Sequence, residues 1–250
     1  MTRDYSGFLP SAASGPTPRQ GPSPLEKLGW KPFFSQQITI NDLDRKSPAR
    51  VTEVHRSGLR LLGDGLDTTL PPGLDATVGD WILYDPDSPA QSTLLQRSSL
   101  FARRAPGHDR QRQLIAANVD TVFIVSSCNH DFNVARLERY IALALEAEAT
   151  PVILLTKADI CEDPASYVDA ARAISDRVLV EALNAKSDEP RAKLASWCKL
   201  GQTVAFLGSS GVGKTTLVNA FFPKNVAETA AIREDDSKGR HDPTPSAFHR

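Results

Sequence analysis

Cysteine is scarce in this 250-residue chain: Cys128, Cys161 and Cys198 are its three, and no two are in Cys-x-x-Cys spacing. That set excludes a disulfide framework and a thiolate metal site, and reads as ordinary reduced thiols. No apolar run reaches the roughly 20 residues of a membrane span. No charged-then-apolar segment opens the chain either, so a cytoplasmic protein with no membrane partner is expected. Net charge is nearly absent: 29 Lys and Arg stand against 30 Asp and Glu, for a formal charge of -1. A global basic field is thereby excluded, and any surface for nucleic acid must be local. What is present suits a globular protein with a real core: 40% hydrophobic and 24% charged residues, enough for one large domain or two. No internal repeat stands out.

The chain is organised around Gly208-Ser209-Ser210-Gly211-Val212-Gly213-Lys214-Thr215. It fits the phosphate-loop spacing of Gly, four residues, then Gly-Lys-Ser/Thr. Thr203 to Leu207 reads as a short buried strand before it, and Thr216 to Phe221 continues a helix after it. That strand–loop–helix context gives the spacing its meaning. The glycines let backbone N–H groups turn inward as an anion nest, and the helix N-terminus adds a favourable dipole. Ser209, Ser210, Val212 and Thr216 share this phosphate-binding segment, Lys214 reaches the β- and γ-phosphates, and Thr215 offers its hydroxyl to magnesium.

Some two hundred residues precede that loop. Residues 1–24 are rich in Ser, Pro and Gly and read as a disordered leader. Residues 25–46 read as a short helix ended by Gly29 and a connector, with Trp30, Phe33 and Phe34 either pinning it to the next domain or forming a partner surface. Period-two alternation around Ala49, Val51, Val54, Leu59 and Leu61, with further strands at Leu66–Leu70, Ala76–Tyr84 and Thr93–Arg97, predicts a small all-β barrel over 47–106. An OB-fold is favoured, although an SH3-like barrel leaves much the same pattern. A basic run comes next: Arg97, Arg103, Arg104, Arg110 and Arg112, interleaved with Phe101 and His108. Arginine beside aromatics suits RNA, while the bland alternative is a solvated linker.

Beyond residue 107 the rhythm becomes α/β. Buried strands at Val119–Val125, Pro151–Leu155 and Val178–Val180 alternate with helices at Asn133–Ala149, Ala165–Ser175 and Glu189–Leu200. This predicts a mostly parallel, doubly wound sheet. Thr156-Lys157-Ala158-Asp159 follows the second of these strands, the placing of the Asn/Thr-Lys-x-Asp element of guanine binders. There an aspartate accepts two bonds from guanine that adenine cannot donate. Lys157 would pack over the base and Thr156 would brace the loop. The competing reading makes Asp159 only a helix N-cap, which would leave room for an ATPase or a small-molecule kinase. Asn184-Ala185-Lys186 follows the third strand, where guanine binders carry Ser/Thr-Ala-Lys, with Asn184 in place of the hydroxyl residue.

Both base-reading loops precede the phosphate loop, which inverts the usual order. In this order, and in Ala49-Arg50-Val51, His55 to Gly58, Ala117 to Asp120 and Leu137-Glu138-Arg139-Tyr140, the chain resembles the ribosome small-subunit-dependent GTPase A family. The resemblance runs from Leu25 to about His241. It implies a circularly permuted α/β P-loop GTPase domain preceded by an OB-fold barrel. It also implies GTP hydrolysis with Mg2+ in late maturation of the small ribosomal subunit, with that subunit and its ribosomal RNA as partners. The protein is expected to be a monomer.

The chain also departs from that pattern. Lys238-Gly239-Arg240-His241 begins the family's switch I, but Asp242 to Arg250 replaces its threonines. The Asp-Thr-Pro-Gly element and the zinc domain of full-length members are absent from 107–250. Asp236-Ser237-Lys238-Gly239 mimics Asp-x-x-Gly in letters only. Codons compatible with Asp242 onward, read one nucleotide later, can encode Thr-Thr-Gln-Arg-His-Arg-His-Phe. A frameshifted or truncated product is therefore expected, with nucleotide and RNA binding and little turnover as the alternative function.

Overall fold

A computed structural model describes residues 21–104 and 112–221. Arg110, His108, the segment Lys238 to His241 and all but the end of the expected leader lie outside the described residues.

The N-terminal segment is three single turns, α1 (Pro24–Lys27), α2 (Pro32–Ser35) and α3 (Ile40–Leu43). α1 begins in a capping box, Ser23 bonding the Glu26 backbone and Glu26 reaching back to Ser23. Such turns are too short to hold themselves and depend on aromatic anchors. Phe34 is buried, and Trp30 meets Trp81 edge-on at 4.7 Å. Phe33 stays largely exposed.

Five short strands come next: β1 (Ser47–His55), β2 (Gly58–Gly63), β3 (Asp67–Leu70), β4 (Trp81–Tyr84) and β5 (Thr93–Leu94). They form one antiparallel sheet in the order β3-β2-β1-β4-β5. This is the ring of a five-stranded Greek-key barrel written open between β3 and β5. β1 serves both halves: Ser47–Arg50 pair with β4 and Ala49–His55 with β2, with an irregularity between Val51 and Glu53 where the strand bends. Ala49, Val51, Leu59, Leu61, Leu70 and Ile82 fill the interior.

The described part of the basic run beyond Arg97 lies on two strands. β6 (Leu100–Arg104) and β7 (Arg112–Ala117) pair as an antiparallel hairpin, with Arg104 opposite Arg112. Its base is fixed by Phe101 and Ala116, which enter the core beside the next sheet.

That sheet is parallel: β8 (Thr121–Ser127), β9 (Thr150–Thr156), β10 (Leu179–Ala182) and β11 (Val204–Leu207), in the order β10-β9-β8-β11. Helices cover both faces, which is why the middles of its two central strands, Val122 to Val125 and Pro151 to Leu155, are unbroken apolar runs. On one face Val122, Ile124, Ile153 and Leu155 meet Leu137, Tyr140, Ile141 and Ala144 of α4 (Val134–Glu146) and Ala171 of α5 (Pro164–Arg172). On the other, Phe123, Val125, Val152 and Leu154 meet Leu194 of α6 (Glu189–Leu194) and Leu217 of α7 (Lys214–Phe221). α6 stops at Leu194, short of the expected Leu200, and a turn then carries the half-buried Trp197 back against Phe123.

A buried arginine joins barrel to sheet. Arg50 on β1 donates to Leu28 O, to Gly79 O at 3.2 Å, to Asn118 O at 3.4 Å and to Thr203 Oγ1 at 2.8 Å. Burial pulls its pKa down to about 10 against the pull of Asp120 and Asp80. Thr203 opens the strand that leads to the phosphate loop, and its N–H donates to Asp120 Oδ2 at 2.8 Å.

Candidate nucleotide-binding site

Parallel strands send their following loops to one edge of the sheet, and ligands of such sheets bind there. Three of the four following loops here carry the expected motifs. Leu207, Ile124, Ile153 and Val180 lie in lateral register across the sheet. β11 ends at that level while β10 runs on to Ala182 and β9 to Thr156, so the three loops leave from the same edge, the β11 loop first.

The phosphate loop turns through positive φ at Gly208, Gly211 and Gly213. At Gly208 a Cβ would meet Val125 O at 2.2 Å, so only glycine lets the loop leave β11 against β8. Lys214 folds back over the loop, its Nζ donating to Gly208 O and Ser209 O at 2.6 Å each. Ser210 and Gly211 are exposed, while Val212 anchors the loop in the core. Thr215 and Thr216 stand in the first turn of α7, and the exposed Thr215 hydroxyl has no hydrogen bond among the described residues. A hard, open oxygen of this kind fits magnesium. Among the described residues no group of three or more His, Cys, Asp or Glu side chains could hold a metal.

Thr156 braces the base loop in a specific way. Its fully buried hydroxyl lies 2.6 Å from Val212 O and 3.1 Å from Ser126 O. The single proton serves the shorter contact. The loop after β9 is thus fastened directly to the phosphate loop. Lys157 adopts the left-handed conformation, φ 59°, and launches a single 3-10 turn, Ala158–Ile160.

Asp159 is not a cap. The carboxylate that caps α5 is Asp163, which accepts from Ser166 N at 3.2 Å. Asp159 is exposed and makes no hydrogen bond among the described residues, which leaves both its oxygens for a base. After β10, Asn184 Oδ1 accepts from Lys186 N at 2.9 Å, closing the turn that a serine or threonine would otherwise close. Its own N–H donates to Glu189, and Ser187 Oγ donates to Asn184 O at 3.0 Å. The half-turn holds Ala185 nearly buried beside the sheet and leaves Lys186 exposed.

The arginines separate. Arg97 is locked in a two-bond fork on Asp80, 2.8 Å on each arm, and also donates to Asp75 O. A fully buried carboxylate needs that partner, so Arg97 belongs to the barrel's structure. Arg103 is exposed on the hairpin and touches Gln113, and Arg112 is exposed on the facing strand. A residue that sequence reasoning missed, Arg136 in the first turn of α4, donates from its guanidinium to Ser209 Oγ.

The candidate base loops precede the candidate phosphate loop along the chain, which is the order of a permuted site. Residues 94–250 match the model of the RsgA GTPase family. The chain belongs to that family. A relative from Vibrio parahaemolyticus serotype O3:K6, "Small ribosomal subunit biogenesis GTPase RsgA 2", is 49% identical over 233 residues, covering 91% of this chain and 64% of the relative. A Mesorhizobium japonicum relative named as a small ribosomal subunit biogenesis GTPase RsgA is 48% identical over 234 residues, 90% of this chain and 67% of its own. The chain thus spans about two thirds of the length of these relatives. Among solved structures, YjeQ from Thermotoga maritima superposes with a TM-score of 0.57 at 23% identity, over 72% of this chain and 66% of that one, which supports the fold. The architecture is accordingly a circularly permuted P-loop GTPase domain preceded by an OB-like barrel.

Proposed function

We propose that this chain binds GTP and GDP and hydrolyses GTP to GDP and phosphate in late maturation of the small ribosomal subunit. The observation that carries the reading is the Thr156 hydroxyl, which ties a guanine-type loop to a phosphate loop at one sheet edge. Asp159 accepts hydrogen bonds from the guanine N1–H and 2-amino group, Lys157 covers the base, and the Ala185 N–H meets the guanine oxygen. The nest from Gly208 to Gly213 and the amino end of α7 hold the phosphates. Lys214 exchanges its two loop carbonyls for phosphate oxygens. Thr215 would hold magnesium, which when bound neutralises phosphate charge. Water then attacks the γ-phosphate in line, with positioning and charge supplying most of the rate.

The partners in this reading are the small ribosomal subunit and its RNA, reached through the barrel and the hairpin that carries Arg103, Arg104 and Arg112. The chain acts as a monomer in the cytoplasm. Among the described residues no helix is long and apolar enough to cross a membrane. GTP turnover measured with and without purified small subunits is the test. Stimulation by subunits supports the reading, whereas tight GTP binding with no stimulated turnover would make the chain a nucleotide- and RNA-binding module.

A further inference from the structure

The first turn of α4 carries a cation that the guanine-nucleotide reading leaves unused. The Arg136 backbone N–H donates to the N-cap Asn133 Oδ1 at 2.9 Å, which fixes where the side chain starts. Its guanidinium then crosses to the phosphate loop and donates to Ser209 Oγ. Arg136 is half-buried. Among the described residues, no carboxylate stands within ion-pairing distance of it. Ser209 is also where Lys214 arrives, since its backbone oxygen accepts the Lys214 ammonium at 2.6 Å. Two cations from two helices therefore converge on one residue of the loop.

Neighbouring like charges repel, and a half-buried cation without a counter-charge is unfavourable. An anion carrying more than one charge at this edge relieves both costs. One donor of the guanidinium is taken by Ser209, and the remaining N–H groups of the fork can meet oxygens. We propose that Arg136 is a second phosphate-directed cation of the site, oriented by Ser209 Oγ, that favours the more highly charged guanosine nucleotides. The proposal rests on the guanine-nucleotide reading and adds to it a residue outside the phosphate-loop motif.

The test is displacement of a fluorescent GDP from the full 250-residue chain by GMP, GDP and GTP, at low and high salt. The proteins compared are wild type, Arg136→Gln, Arg136→Lys, Ser209→Ala and Lys214→Ala. Arg136→Gln is expected to lose about tenfold in GTP affinity at low salt, less for GDP and least for GMP. That loss should shrink as salt rises. Arg136→Lys keeps part of the affinity because the charge remains, and Ser209→Ala loses less than Arg136→Gln. Binding of GTP by Arg136→Gln within about twofold of wild type, while Lys214→Ala loses it, would overturn the proposal and leave the site reading standing. Equal losses for all three nucleotides, matched by Ser209→Ala, would also overturn it, because that is the result of a merely structural clamp. Wild type that binds no guanosine nucleotide would overturn the site reading and the proposal together.

Discussion

Arg97 and Arg103 belong to one basic run, and their surroundings give them different work. Arg97 neutralises Asp80, whose carboxylate is fully buried and whose Oδ2 also accepts from Thr77 N at 2.7 Å. The hydrogen bonds that Arg97 donates to Asp80 hold the arginine pKa above its ordinary value. Arg97→Ala strands a buried carboxylate and is expected to cost about 3–5 kcal/mol in urea unfolding. Arg103→Ala, at an exposed position, should change stability by less than about 0.5 kcal/mol. Equal effects would return Arg97 to the RNA-facing set. At Asp159 the prediction concerns specificity. Asp159→Asn can no longer accept two guanine protons, so GDP affinity should fall about a hundredfold. Xanthosine diphosphate, which offers an oxygen where guanine offers its amino group, should gain. Unchanged GDP binding by titration calorimetry would remove Asp159 from base recognition.

Elements were legible where both faces or one full stripe were buried. β8 and β9 show unbroken apolar runs because helices cover both sides, and α4 shows its stripe at Leu137, Tyr140, Ile141 and Ala144. The hairpin β6–β7 was hidden because its outer halves are arginine- and glutamine-rich and only its base is buried, so the alternation of a strand is drowned by charge. α2 and α3, four residues each, are too short for a helical period to reveal them. In the candidate site, the loops are proposed from the spacing that phosphate and guanine chemistry impose, and the strands before them lie in one sheet. The Arg97–Asp80 fork and the Arg136–Ser209 bond join residues far apart in sequence, and no local pattern announces either. The hairpin also yields a test at its own scale. Replacing Arg103, Arg104 and Arg112 together by Gln should weaken binding to small-subunit RNA and lower the slope of log affinity against log salt. An unchanged slope would place the RNA contact elsewhere.

For the molecule as a whole, the joint between barrel and sheet is concentrated on Arg50. One guanidinium bonds the N-terminal segment at Leu28, the barrel loop at Gly79, the hairpin exit at Asn118 and the root of β11 at Thr203, and lies over Trp81 at 5.7 Å. Asn118 adds to the joint, donating to Gly79 O at 2.9 Å from a left-handed backbone that asparagine tolerates. Arg50→Ala would leave several of these buried groups without a partner, and is expected to cost about 3 kcal/mol and to split one thermal transition into two. A single unshifted transition would show that the halves are joined by other means. The joint lies at the root of β11 and the phosphate loop at its far end, so the barrel and the nucleotide edge share one short strand.

The proposed function rests on three loops at one sheet edge acting together as a guanine site. Competition between GDP and ADP for this chain, measured by calorimetry with magnesium present, puts that assignment at risk in a single experiment. GDP is expected to bind at least about a hundredfold more tightly than ADP, because only guanine satisfies both oxygens of Asp159. Equal affinity for the two nucleotides would contradict the assignment.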